Sequence, residues 1–497
     1  MAITVGLSLY TTRLVLNALG VNDFGIFNLV GGAVMMLTFL NNSMAAATQR
    51  FMSYTEGSGD LEKLKTIFNV SIVSHLAVGG VVFMLMELIG YILFDGVLSI
   101  PAERIEAAKW VYQFTVVSTL VTIISVPYDA VINAHENMLF YGIIGILEAV
   151  LKLSIAIYIA NSTHDQLITY GLLMAVSTVF TLYIRRIYCH RHYSECEIYL
   201  RKHFSKPLFK EMTSFAGWSL LGSSTSMITG YGQGILINTF FGTSVNAAQA
   251  IAGQVNGQLG AFGNTMLKAL NPVIAKSEGA GNRELMLKAS AVGNKVAFFL
   301  LMIFYIPMLV EAPFVLKIWL DNVPDYTITF CQLALIRSLL EQLTITFSSS
   351  ISAVGNIRKF QIYSSILAAS PLVITYIFFK YEYPVYALYI VLITYTIMSS
   401  VVLIYFTHKL CGLVIEEYLK DTFLRCIVSF IIVICCAGII TYSMNESSTR
   451  FFLVGLTTVL TYSIAVYKIG FTINERALIR KNLKYGPILT GKEPKTI

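Results

Sequence analysis

Residues 67–94 read I-F-N-V-S-I-V-S-H-L-A-V-G-G-V-V-F-M-L-M-E-L-I-G-Y-I-L-F, with Glu87 as the one formal charge. A helix of this length, at about 1.5 Å per residue, exceeds the roughly 30 Å thickness of a bilayer's hydrocarbon core. Lipid admits only structures that satisfy every backbone polar group internally, which means helices or closed barrels. The stretch lacks the apolar-out, polar-in alternation of a barrel strand, so it reads as a membrane-spanning helix. Thirteen further stretches have the same character: 1–19, 25–47, 110–131, 138–160, 166–184, 213–241, 245–270, 289–310, 327–354, 360–379, 384–406, 424–443 and 451–468. The expected fold class is an all-α polytopic membrane protein with about 14 transmembrane helices. Composition agrees, with 56% hydrophobic and 13% charged residues, against about 25% charged in soluble domains.

The basic residues orient the chain. With the N-terminus inside, the inner loops and helix ends carry 26 Lys and Arg, among them Arg50, Arg185, Lys210, Lys268, Lys276 and Arg358. The outer loops carry five: Arg104, Lys109, Lys317, Lys380 and Arg450. This asymmetry follows the positive-inside rule and places both termini in the cytoplasm. The net charge of +7 then faces the anionic inner leaflet, so membrane lipids account for it and no nucleic-acid partner is implied. Four cations remain inside predicted helices: Arg13, Lys152, Lys295 and Arg337. A secretory leader is not expected, because no small-residue cleavage site precedes the second apolar stretch. The first stretch is short for a span, as it would be if upstream residues were missing.

The chain repeats itself at an offset of 222 residues. Gly20, Gly31, Leu37, Asn42, Met44, Ala47, Glu56, Gly57, Gly59 and Glu62 recur as Gly242, Gly253, Leu259, Asn264, Met266, Ala269, Glu278, Gly279, Gly281 and Glu284. The offset maps the second predicted helix onto the eighth. Six helices is an even shift, so the halves share one orientation, a parallel repeat as found in transporters with a site between the halves. The implied domains are a six-helix lobe over 1–187, a basic cytoplasmic linker over 188–210, a second lobe over 211–408, and helices 13 and 14 with a tail over 409–497.

Two segments carry a family resemblance: R-L-V-L-N-A-L-G-V-N-D-F-G-I-F-N-L-V-G-G at 13–32 and F-L-N-N-S-M-A-A-A-T-Q-R-F at 39–51. They resemble the Wzx-type oligosaccharide-lipid flippases of the multidrug/oligosaccharidyl-lipid/polysaccharide (MOP) superfamily. The resemblance implies a MATE-like pair of lobes working by alternating access in the bacterial inner membrane. It implies transport and not catalysis, with no cofactor. The implied substrate is a polyprenyl-diphosphate-linked oligosaccharide for surface polysaccharide such as O-antigen. The implied partners are H⁺ or Na⁺ for coupling, a polysaccharide polymerase and a chain-length protein.

Several side chains suit that chemistry. A charge deep in a membrane is expensive unless it meets water, a partner or a substrate. Lys152 follows Glu148 by four residues and Arg337 precedes Glu341 by four, so each pair shares a helix face. Each is read either as a self-neutralising pair or as part of a hydrated lining. Arg13 has no acid at helical spacing and suits a phosphate, which a guanidinium binds through two oxygens. Arg13 and Arg50 also match, in position, arginines of the related lipid-linked peptidoglycan-precursor flippase, which places both among the substrate-binding candidates with Lys152, Arg337 and Lys295. Arg50 also reads as an ordinary interfacial cation, and Lys295 as one that snorkels. Glu87, Asp129, Glu148 and Glu341 are the coupling candidates. Cys189, His190, His192 and Cys196 offer zinc-ligand types without finger spacing, and a basic loop beside the membrane is the simpler reading. Gly222, Ser226, Gly230 and Gly234 recur every fourth residue, a smooth face for packing or bending.

Two other functions make different demands on the sequence. A multidrug exporter of the same superfamily would favour acids in the lobes, yet none lies between Ser214 and Gly242. A membrane-embedded sugar polymerase would need a sizeable outward loop with placed polar groups, and none is evident.

Overall fold

The computed structural model describes residues 2–35, 38–94, 100–320 and 323–477. The cations from Arg480 onward and both termini lie outside these residues. No strand occurs among the described residues. The helices are α1 (Ala2–Met35), α2 (Thr38–Ser58), α3 (Leu61–Ile92), α4 (Ile105–Ala134), α5 (Met138–Ala160), α6 (Gln166–His192), α7 (Lys206–Phe241) and α8 (Thr243–Gly279). They continue with α9 (Arg283–Trp319), α10 (Thr327–Gln342), α11 (Phe347–Val354), α12 (Arg358–Lys380), α13 (Ala387–Cys411), α14 (Leu424–Ser443) and α15 (Ser448–Ala465).

Where described, each of the fourteen predicted stretches is helical over most of its length, with 327–354 broken by a turn at 343–346. Among the described residues nine helices are long and apolar enough to cross a membrane, or ten if the bent pair α10–α11 is one span. The shortfall from fourteen has a cause in composition. The helices from the repeated segments are amide- and glycine-rich, and α8 alone contains Asn246, Gln249, Gln254, Asn256, Gln258, Asn264 and Asn271. They are helical without being uniformly apolar.

The repeat is visible in the backbone. Gly20 and its counterpart Gly242 both have positive φ, 74° and 84°. So do Gly59 and Gly281, at 71° and 74°. Only glycine adopts this conformation without strain, so one equivalent pair of glycines interrupts the chain before each repeated helix and the other ends it. The helices that follow are capped alike. Asp60 Oδ1 accepts from the Lys63 amide and Asn282 Oδ1 from the Leu285 amide, each at 3.0 Å; these residues are also equivalent under the 222-residue offset. Asx side chains at this position satisfy amides that the first helical turn leaves free.

The two repeated helices cross at glycine. A Cβ added to Gly57 would stand 2.0 Å from the Lys276 carbonyl oxygen, and one added to Gly279 would stand 1.7 Å from that of Tyr54. Tyr54 and Lys276 are equivalents under the same offset. The contact is therefore reciprocal, each glycine receiving the other segment's backbone.

The chain forms two compact units. The first comprises Met1–Ile228, Lys268–Met286 and Ser349–Ile366, and the second Thr229–Leu267, Leu287–Ser348 and Leu367–Ile497. This division does not follow the lobe boundaries read from sequence, because α7, α8 and α12 each contribute to both units. The first unit's core joins Val15, Val82, Met86, Val111, Tyr112 and Ile155. The Tyr112 hydroxyl donates to the Met86 carbonyl. The second unit's core joins Phe298, Tyr305, Leu335, Val433 and Val454. In that unit α9 carries two buried ion pairs. Lys295, 1% exposed, donates to both Glu475 oxygens at 2.9 Å. Glu311 accepts from Arg450 Nη2 at 2.8 Å.

Candidate functional site

Three helices of the first unit build a charged cavity of about 280 Å³. Asp129 comes from α4, Glu148 and Lys152 from α5, and Ser177, Thr181 and Arg185 from α6. Residues 177, 181 and 185 are spaced by four, so they share one face of α6. Arg185 Nη2 donates to Glu148 Oε1 at 2.8 Å, and its Nε lies 3.2 Å from Asp129 Oδ1. One guanidinium is thus hydrogen-bonded to Glu148 and within salt-bridge distance of Asp129. A second cavity of about 390 Å³ shares Glu148 and Lys152 and adds Thr11, Thr12, Phe24, Phe27 and Tyr170.

This arrangement corrects the anticipated pairing. Glu148 is engaged by Arg185 and not by Lys152. Lys152 is exposed and makes no ion pair among the described residues. Likewise Arg337 does not pair with Glu341; its Nε donates to Thr396 Oγ1 on α13 at 3.3 Å, and Glu341 is exposed. The four-residue spacing brings two side chains onto one face, but a partner on the next helix offers better geometry. The first cavity is charge-balanced, with two carboxylates against two cations.

The other candidates are dispersed. Arg13 is exposed on α1, one position beyond Thr12, and lines neither cavity. Lys295 is consumed by Glu475, so in this structure it neither snorkels nor faces a substrate. Glu87 Oε2 accepts from Gln113 Nε2 at 3.3 Å beside a cavity of about 360 Å³ that Lys109 and Tyr112 also line. Arg50 Nε and Nη2 donate to the carbonyls of Ser352 and Ala353, at 3.2 and 2.9 Å.

Sequence reasoning missed Arg185, which had been counted as a loop-end cation. The polar stripe Ser177–Thr181 leading to it was the available signal. It also missed a network at the α2–α8 crossing. There His135 Nε2 meets Glu195 Oε1 at 2.5 Å, its Nδ1 lies 3.3 Å from Glu56, and Lys276 lies 3.5 Å from Glu136. The cysteine–histidine cluster is not a loop: Cys189, His190 and His192 lie in the last turn of α6, held by packing. Cys189 and Cys196 are buried and His192 stacks on Tyr188 at 4.2 Å. Among the described residues no three His, Cys, Asp or Glu side chains converge as a metal-ligand set.

The α8 helix presents a different surface. Gln254, Gly257, Gln258, Asn264 and Lys268 are all exposed. At 100° per residue they fall on one face, with Ala261 between them. From Thr243 to Ser277 the helix carries no carboxylate.

These features define an all-helical, polytopic membrane protein whose charged and amide groups lie within its apolar helices. Solved structures narrow the class: the chain has the fold of the MATE transporters of the MOP superfamily. A MATE protein in a straight conformation matches with a TM-score of 0.70 at 16% identity, over 83% of this chain and 94% of that one. A MOP superfamily transporter from Pyrococcus furiosus, described as having a binding pocket of reverse polarity that suggests a different function, matches with a TM-score of 0.67 at 14% identity, over 84% and 95%. The MATE transporter ClbM in complex with Rb⁺ matches with a TM-score of 0.64 at 16% identity, over 82% and 92%. No protein-family profile and no curated protein matches the sequence.

Proposed function

We propose that this protein is a flippase that moves a polyprenyl-diphosphate-linked oligosaccharide from the cytoplasmic to the outer leaflet of the inner membrane. The observation that carries the reading is the exposed amide face of α8. A face bearing Gln254, Gln258, Asn264 and Lys268 is too polar for lipid, so it borders water or a polar substrate. Each amide offers both a donor and an acceptor, which matches the hydroxyls of a sugar. The absence of carboxylates from Thr243 to Ser277 disfavours a cationic cargo. Arg13 on α1 supplies a cation for the diphosphate, while the lipid tail stays in the bilayer. Lobes 1–187 and 211–408 are the bodies that alternate. The reverse-polarity pocket of the Pyrococcus protein, described as suggesting a different function, supports the premise that this fold serves more than one function.

Coupling to H⁺ or Na⁺ falls to Asp129 and Glu148, whose shared partner Arg185 can engage one acid more strongly when the other is neutralised. The two carboxylates of that cavity and the cation-bound MATE neighbour favour a second reading, a cation-coupled multidrug exporter.

Reconstituted vesicles with a fluorescent lipid-linked oligosaccharide separate the two. Gln254→Leu with Gln258→Leu, and separately Arg13→Ala, should slow flipping at least about tenfold. Glu148→Gln should change its pH dependence. Wild-type flipping in both the glutamine and arginine variants would refute the proposal. Export of a cationic dye without flipping would establish the second reading.

A further inference from the structure

A separate cavity of about 670 Å³ in the first unit lies where α7 and α12 begin and α2 ends. It is lined by Arg50, Lys210 and Arg358 against one carboxylate, Glu211, with Phe215 and Trp218 as its aromatic wall. It is therefore net cationic, unlike the balanced cavity around Arg185. Helix starts place it at the level of the membrane surface, and the positive-inside pattern puts that surface on the cytoplasmic side.

Two of the three cations are held in place by protein contacts. Arg50 is tethered through Nε and Nη2 to the Ser352 and Ala353 carbonyls, and its guanidinium carbon lies 4.5 Å from the Phe51 ring centroid and 5.6 Å from that of Phe215. Among the described residues its Nη1 donates to no protein group, which leaves one edge of the fork for a ligand. The opposite wall is cut to admit it. Gly355 has φ 93°, and a Cβ there would stand 2.6 Å from Arg50 Nη2. Arg358 lies 5.1 Å over the Trp218 ring, and Lys210 is exposed without a salt bridge among the described residues. Two guanidiniums and an ammonium around one hollow match a phosphate or diphosphate, which accepts charge-assisted hydrogen bonds from all three.

We infer that Arg50, Lys210 and Arg358 form a docking site for a phosphate-bearing headgroup, distinct from the α8 face and from the Arg185 cavity. The reading deepens the proposed transport, on which it rests for the identity of the lipid. A diphosphate bound here would be held at the membrane surface with its prenyl chain in the bilayer. Lipid headgroup and free diphosphate share this chemistry, and binding measurements tell them apart.

Isothermal titration of the purified full-length protein with farnesyl diphosphate, inorganic pyrophosphate and farnesol is the test. Farnesyl diphosphate should bind and farnesol should not. Lys210→Ala and Arg358→Ala should each weaken binding about tenfold, Arg358→Lys less, and added salt should weaken it further. Gly355→Ala, which displaces the Arg50 guanidinium, should act in the same direction. Farnesyl diphosphate binding more than tenfold tighter than pyrophosphate assigns the lipid headgroup, and equal affinities assign a soluble diphosphate. Absence of binding to either phosphate, or binding that survives Lys210→Ala with Arg358→Ala, overturns the site. Because this experiment reads binding, its failure is distinct from failure of flipping in the α8 variants.

Discussion

Alanine at Gly57 or Gly279 should shift the protein away from the conformation in which α2 and α8 cross. The new Cβ would lie 2.0 Å from the Lys276 oxygen in one variant and 1.7 Å from the Tyr54 oxygen in the other, while ordinary contact begins at 3.4 Å. The helix ends must part by about 1.4 Å and about 1.7 Å respectively. Both obstacles are backbone, so no side chain can swing clear. Overpacking of this kind costs roughly 1–3 kcal/mol, which moves a two-state equilibrium by roughly 5- to 150-fold. The assay is thiol labelling of a cysteine at Ser277, buried at this crossing, in a background lacking the seven native cysteines. Labelling should accelerate in both variants, by similar factors because the contact is reciprocal, and transport should fall. Gly217→Ala, which meets nothing within 4 Å, is the control. Wild-type labelling and transport in Gly57→Ala and Gly279→Ala would refute the idea that this crossing is a closed contact of the transport cycle.

Two further outcomes follow from ion pairs. Glu475→Gln strands the buried Lys295 charge and should lower stability by about 3–5 kcal/mol, read as a fall in thermal midpoint; Lys295→Met added to it should restore most of the loss, and an unchanged midpoint in Glu475→Gln would show the pair to be dispensable. Burial alone would raise the Asp165 carboxyl, but hydrogen bonds from Arg104 and from the Ile168 and Leu167 amides outweigh it and hold it below the ordinary carboxylate range. A depressed acid stabilises above its unfolded value of about 3.9 and loses that contribution as pH falls through its folded value. Wild type should therefore exceed Asp165→Asn in stability at about pH 6 and converge with it toward about pH 3, as followed by unfolding at each pH.

The helices were legible because lipid tolerates so few alternatives, and the repeat was legible because positive-φ glycines and Asx caps leave fixed letters at fixed spacing. Partner choice was not legible. Glu148 has Lys152 one turn along its own helix but engages Arg185 from α6, and i,i+4 proximity does not reveal which neighbouring helix faces it. Lys295 finds Glu475 beyond the final span, 180 positions later, a pairing no local pattern announces. The net-cationic pocket combined cations assigned to three separate loops or helix ends, whose convergence is a property of the fold. Length and hydropathy marked α8 as a span but not the exposed amide face that suits it to face water.

The two ion pairs of α9 also bear on the last two helices, which stand outside the repeat. Lys295 and Glu311 lie sixteen residues apart, about 24 Å along the helix axis. Glu475 follows α15 and Arg450 lies near its start, so α15 is bolted to α9 at both extremities. A helix fastened at one point can pivot; one fastened at two behaves as a strut. The C-terminal pair is then chassis and not accessory, and α15 should travel with α9 as one rigid part. A fluorophore attached just after Arg476 would report the movement of α9 itself.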